Sequence, residues 1–138
     1  MLDKKITVML PAYNEEKDLP VLLNRIQQAL SEWANYRILV VDDGSKDKTV
    51  ENLTDAAKGD SRLKIIQFRR NFGQTAAMSA GFDNTKYDVV VALDGDLQND
   101  PNEIPKMLTI LRQGYDVVAG WRKDRKDKFV SRRLPSMI

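Results

Sequence analysis

Residues 87–96 read Tyr-Asp-Val-Val-Val-Ala-Leu-Asp-Gly-Asp. Val89–Leu93 is continuously apolar and β-branched at its start, as expected of a strand covered on both faces in a parallel sheet. Two carboxylates separated by glycine follow at once. The same succession, an apolar run and then polar turn residues, recurs on either side. Ile6–Leu10 leads into Pro11-Ala12-Tyr13-Asn14-Glu15, and Arg37–Val41 leads into Asp42-Asp43-Gly44-Ser45. Leu63–Phe68 leads into Asn71-Phe72-Gly73, and Tyr115–Ala119 leads into Gly120-Trp121-Arg122. Tyr87–Leu93 itself is the fourth of these five expected strands.

Between the strands the apolar spacing changes to three and four. Leu19, Leu22, Leu23, Ile26 and Leu30 form one helical face behind Asp18, a capping residue. A second helix is expected from Lys46 to about Lys58, closed by Gly59. A third, over Gln74–Phe82, is built of small residues that permit close backbone approach. A fourth runs from Pro101 to about Arg112, with Pro105 near its first turn. Five strands alternating with four helices predict an α/β domain with a mainly parallel sheet. Such sheets bind ligands beyond the carboxyl ends of their strands, where the polar turns fall here.

The chain has 138 residues, enough for one domain with a real core. Its 42% apolar and 30% charged residues mark it as globular rather than disordered. No run approaches the ~20 apolar residues of a membrane span, and with no long apolar stretch behind Met1–Lys5 a secretory signal is not expected. Cys and His are both absent. Disulfides, thiol nucleophiles, thiolate zinc sites and imidazole bases are thereby excluded. A metal, if used, is a hard oxygen-bound one, Mg²⁺ or Mn²⁺. Residues 122–133 hold seven basic side chains against two acidic ones. That segment carries +5, so the rest carries −3 of the overall +2. A basic segment on an acidic body suits phosphates, on a ligand or at a membrane surface, or else is a solvated tail. Phe129, Val130, Leu134, Met137 and Ile138 interleave it with apolar groups, as a membrane-surface helix from Lys128 would.

Asp94 and Asp96 can share a divalent cation whose other ligands are diphosphate oxygens, stabilising a leaving diphosphate; an Asx-type turn is the alternative. One of Asp42 and Asp43 can accept hydrogen bonds from a nucleobase or ribose while the other orients a loop or supports the metal. Ser45 and Asp47 also suit a helix cap. Asn14 and Glu15 can meet ribose or base edges, and Tyr13 can stack on a base. Asn71-Phe72-Gly73-Gln74 can aim backbone N–H groups at phosphate, or Gly73 can simply let the chain turn. Arg122, Arg125, Arg132 and Arg133 can grip phosphate with paired hydrogen bonds.

These motifs, in this order, resemble family 2 glycosyltransferases of GT-A fold. They are Pro-x-Tyr-Asn-Glu-Glu (11–16), Val-Asp-Asp-Gly-Ser-x-Asp-x-Thr (41–49), Asn-x-Gly-Gln (71–74), Asp-x-Asp-Leu-Gln-x-Asp-Pro (94–101) and Gly-x-Arg (120–122). Arg-Arg-Leu-Pro-Ser (132–136) adds a likeness to the dolichyl-phosphate mannose synthase and polyprenyl-phosphate glycosyltransferase branch. The resemblance implies a Rossmann-like nucleotide-sugar-binding core over 1–121 and a basic, acceptor- or membrane-facing segment over 122–138. It implies a nucleotide pocket of Pro11, Tyr13, Asn14, Glu15, Asp42, Asp43, Gly73 and Gln74. Asp94, Asp96 and Gln98 would serve the metal and the sugar diphosphate, Asp94 lying near the ribose or donor sugar. Arg122, Arg132, Arg133 and Ser136 would meet donor or acceptor phosphate. Asp94, Asp96, Gln98 and Arg122 are thus the expected catalytic set. The family continues beyond these motifs, often into membrane helices, so this chain is expected to be its N-terminal catalytic part.

The expected reaction is inverting transfer from a UDP- or GDP-linked sugar to a polyprenyl phosphate at the cytoplasmic face of a membrane, without nucleic acid. A lipid phosphate is ionised near neutral pH, so no strong base is needed. Metal and Arg charge then carry catalysis. A saccharide acceptor would need a carboxylate base; a non-catalytic nucleotide-sugar-binding fragment is a further alternative. A response-regulator-like domain also clusters Asp around Mg²⁺, but its paired acids follow the first strand and a Lys the fifth, unlike here. Base, sugar, acceptor and oligomeric state stay open.

Overall fold

The computed structural model describes residues 5–33, 35–85, 89–93 and 100–113, together with the backbone of 117–121 and 128–132. Ten elements follow in order: β1 (Ile6–Ala12), α1 (Asp18–Ala29), β2 (Tyr36–Asp42), α2 (Thr49–Gly59), β3 (Leu63–Gln67), α3 (Gln74–Asp83), β4 (Val89–Ala92), α4 (Glu103–Leu111), β5 (Val117–Trp121) and β6 (Lys128–Arg132). The first four strands form one sheet in the order β3-β2-β1-β4, with every pairing parallel. The order reverses between β1 and β4, and in open α/β sheets the crevice at such a switch point is where ligands bind. A response regulator's sheet instead seats its third strand beside its first.

The pleat divides β1 between two faces. Ile6, Val8, Leu10 and Ala12 join the buried cluster with Leu19, Leu22, Leu23 and Ile26 of α1 and Leu53 of α2. Met9 lies on the opposite face, where a Cβ on Gly81 of α3 would come within 2.4 Å of its sulfur. The small residues of α3 therefore do bring a helix close to the sheet. Leu30, the last of the expected helical face, is fully buried just past α1.

Several boundaries differ from expectation for local reasons. β1 runs through Pro11 to Ala12. Leu93 donates to the Met9 carbonyl, so Pro11, two residues on, faces the β4 side beyond the last pair. The missing N–H therefore costs no ladder bond. α2 starts at Thr49 rather than Lys46, because residues 45–48 are taken up by loop contacts. Gly59 is the last residue of α2 and does not adopt a left-handed conformation; Asp60, extended, follows it. α4 begins at Glu103, after an Asx turn in which the Asn102 N–H donates to the Asp100 carboxylate.

The fifth strand is the main correction. β5 does not extend the parallel sheet but pairs antiparallel with β6, from Val117 opposite Arg132 to Trp121 opposite Lys128. A helix from Lys128 is thereby overturned, since 128–132 is strand. Phe129 and Val130 have strand propensity, and their partners lie across from them in a hairpin, not one turn along a helix.

Candidate functional site

The turns after β1, β2 and β3 meet at the carboxyl edge of the sheet, tied by side chains. Asn14 stands in the left-handed region at φ 53°, which Asn tolerates better than most residues. Its N–H donates to Ser45 Oγ at 2.8 Å, and its own Oδ1 accepts from the Lys46 N–H at 2.8 Å. Ser45 is held in turn by Asp42, which accepts from its hydroxyl and from its N–H at 3.0 Å. Asp42 is fully buried at the end of β2. The Glu15 N–H donates to Thr49 Oγ1 at 2.8 Å.

Asp43 faces the other way, toward the turn after β3. One carboxylate oxygen accepts from the Phe72 N–H at 2.8 Å; the other accepts from the Gly73 N–H and Asn71 Nδ2, both at 3.1 Å. Only 4% of Asp43 is exposed. Both members of the pair therefore hold loops, Asp42 its own turn through Ser45 and Asp43 the turn after β3. Gly44 permits the contact: its φ is +74°, and a Cβ there would stand 2.3 Å from the Arg70 carbonyl carbon. Next to this latch, the Arg70 guanidinium lies 4.4 Å from the centre of the Phe72 ring, which meets Phe68 edge-on.

Asp47 accepts from the Thr49 hydroxyl, from the Thr49 N–H at 2.9 Å and from the Glu16 N–H at 3.3 Å. Burial opposes its charge, but the Thr49 and backbone hydrogen bonds outweigh burial and hold the carboxyl below its ordinary pKa.

Pro11, Tyr13, Asn14, Glu15, Asp42, Asp43, Gly73 and Gln74 thus lie on or beside this one edge. Tyr13 is 40% exposed. Leu93 is hydrogen-bonded to Met9, so the chain leaves β4 beside the same end of β1. Asp94, Asp96, Gln98, Arg122, Arg133 and Ser136 lie outside the described residues. Arg132 is described only as backbone, in β6 opposite Val117. Among the described residues no three acidic, His or Cys side chains cluster as a metal site would require. A pocket of about 190 Å³ lies between α1 and α2 over Leu19, Leu23 and Leu53, with Glu15, Thr49 and Asn52 also in its wall. Ser45, Asp47, Thr49 and Asn71 organise the edge without having been counted among its site residues. The signal for the first three is the Ser-x-Asp-x-Thr spacing, which places side-chain oxygens on alternate residues of a turn; for Asn71 it is the Asn-x-Gly-Gln turn.

The family described as glycosyl transferase family 2 matches residues 7–138. The chain belongs to this family. An undecaprenyl-phosphate 4-deoxy-4-formamido-L-arabinose transferase of Aeromonas hydrophila is 42% identical over 137 residues, covering 98% of this chain and 42% of that protein. The same-named protein of Pseudomonas fluorescens is 44% identical over 135 residues, 96% of this chain and 39% of its own. The chain therefore spans about two-fifths of the length of these relatives. Among solved structures, the Mycobacterium tuberculosis glucosyl-3-phosphoglycerate synthase bound to Mn²⁺, UDP and phosphoglyceric acid aligns with a TM-score of 0.67 at 24% identity, over 84% of this chain and 42% of that one. A mannosyltransferase from Pyrobaculum calidifontis, bound to GDP-Man and Mn²⁺, gives 0.56 at 20% identity, over 70% and 28%. These likenesses establish the GT-A fold for the family 2 chain.

Proposed function

We propose that this chain is the donor-binding part of a metal-dependent inverting glycosyltransferase that moves a sugar from a UDP- or GDP-linked donor to a polyprenyl phosphate. The observation that carries the reading is the 42% identity, over 98% of the chain, to a transferase named for undecaprenyl phosphate. The edge geometry supports it, because the ends of β1, β2 and β3 bring three motif-bearing turns together at one edge of the sheet.

Tyr13, Glu15 and Asp42 serve the nucleotide, and the turn whose Phe72 and Gly73 N–H groups Asp43 holds sets the start of α3, with Gln74, beside them. Asp94, Asp96 and Gln98 hold the cation, Mg²⁺ or Mn²⁺; the set is oxygen-only, which suits a hard ion. Bound there, the cation neutralises charge on the departing diphosphate. Arg122, Arg132, Arg133 and Ser136 meet the acceptor phosphate, and the basic 122–138 segment keeps the enzyme at the cytoplasmic face of a membrane. The phosphate acceptor is already ionised, so a site without His needs no strong base.

Calorimetric titration of UDP-glucose and GDP-mannose, with and without Mn²⁺, tests the donor half of this reading. One donor should bind, and only with metal. Asp96→Asn should weaken that binding at least tenfold, about 1.4 kcal/mol or more. Undiminished metal dependence in Asp96→Asn would remove Asp96 from the metal site. Binding of neither donor by the folded chain would overturn the donor-binding reading.

A further inference from the structure

The family reading leaves Asp47 and Thr49 without a task. Both stand at the carboxyl edge of the sheet, in contact with the turn after β1. Thr49 is fully buried, although it opens a helix beside a surface turn. Its hydroxyl is engaged twice, accepting from the Glu15 N–H and donating to Asp47. Asp47 reaches across with its second oxygen to the Glu16 N–H. Asn52, one turn further along α2, donates from Nδ2 to the Glu16 carbonyl at 3.1 Å. Three backbone groups of the β1–α1 turn, the N–H of Glu15 and the N–H and C=O of Glu16, are therefore satisfied by side chains of the α2 start. These bonds join residues 31 to 36 positions apart. All three reach the neighbouring turn, whereas within the α2 start itself Asp47 accepts from the Thr49 N–H and hydroxyl.

We infer that Asp47 and Thr49 are positioning residues: they clamp the 14–16 turn to the start of α2 and so set the turn that carries Tyr13 and Glu15 at the donor edge. The consequence for the nucleotide rests on the donor-binding reading, whereas the clamp does not. A turn fixed before the ligand arrives spares the ligand the entropy of ordering it. The clamp couples two loops through one carboxylate and one hydroxyl, so Thr49→Ser should preserve it while Thr49→Val and Asp47→Asn should not.

Amide hydrogen exchange read residue by residue tests the clamp in the unaltered chain first. The Glu15 and Glu16 N–H groups should exchange about a hundredfold slower than in free peptide. Free-peptide rates at both would overturn the inference without any substitution. In Thr49→Val and Asp47→Asn these two amides should lose their protection while those of Val8 and Leu39 in the core strands keep theirs. Thr49→Ser should restore it. Retained protection in both disabling variants would overturn the clamp. Calorimetry with UDP and GDP in Mn²⁺ then reads the consequence: the bound nucleotide should weaken about tenfold in the two disabling variants and under twofold in Thr49→Ser. Lost protection with unchanged affinity would overturn the positioning role. If the unaltered chain binds neither nucleotide, the donor-binding reading fails and the exchange rates alone decide the clamp.

Discussion

Two glycines that look alike in the sequence have opposite standing in the structure. Gly44 is left-handed and pressed against the Arg70–Asn71 backbone, so a methyl group there meets main chain that has no rotamer to yield. Gly59 has nothing within 4 Å of its Cβ position and an ordinary helical place at the end of α2. Gly44→Ala should therefore destabilise by ~2 kcal/mol or more. Gly59→Ala should be neutral or stabilise by up to ~1 kcal/mol through helix propensity and a less flexible unfolded chain. Urea denaturation of the two variants beside the parent measures both; equal midpoints would contradict this assignment of Gly44. The sequence marked Gly59 as a helix stop and Gly44 as part of a turn. The cause of the difference, the close passage of residues 70–71, is a contact between distant segments that no local pattern carries. Asp43 is similar. Its adjacency to Asp42 announced a polar edge, but that Asp43 holds residues 71–73 while Asp42 holds Ser45 depended on where the turn after β3 arrives.

The elements were most legible where one periodicity served one buried face. The three-and-four spacing of α1 named Leu19, Leu22, Leu23 and Ile26, and all four are buried. That face is testable by neighbours: Leu22 is fully buried, whereas Val21 is 43% exposed. Leu22→Ala should cost ~2–5 kcal/mol, and Val21→Ala less than about 0.5 kcal/mol. Thermal or urea unfolding of the pair checks the orientation of the whole helix, since a rotated helix would exchange the two effects. Boundaries were less legible because side chains of loops competed for them. The Asp47 carboxylate engages the Thr49 N–H and so delays α2 to Thr49, and the Asx turn at Asp100 similarly delays α4. Least legible was the hairpin β5–β6. Val117 and Val118 read as one more parallel strand, and Lys128–Arg132 as an amphipathic segment. Strand identity there is fixed by a partner across the hairpin, which neither segment's own pattern reveals.

At the scale of the whole molecule, charge and topology divide the labour. The parallel sheet gathers the turns after β1, β2 and β3 at one edge and sends the chain from β4 out beside them, while the +5 of residues 122–133 lies in a segment after α4, against −3 for the rest. No described helix is long and apolar enough to cross a membrane. The proposed contact of residues 122–138 with a membrane is electrostatic with a few apolar side chains, a reversible mode worth about 1 kcal/mol for each Lys or Arg near an anionic surface. Replacing Lys123, Lys126 and Lys128 by Gln removes three such charges while leaving the Arg residues assigned to phosphate. Binding to vesicles containing anionic lipid should fall by about a hundredfold, and the remaining binding should depend less steeply on salt. Neutral vesicles should bind weakly in either case. Vesicle co-sedimentation at two ionic strengths distinguishes the alternatives. If the triple variant binds anionic vesicles as tightly as the parent, the basic segment is not the membrane contact. Its charge would then serve the acceptor phosphate alone.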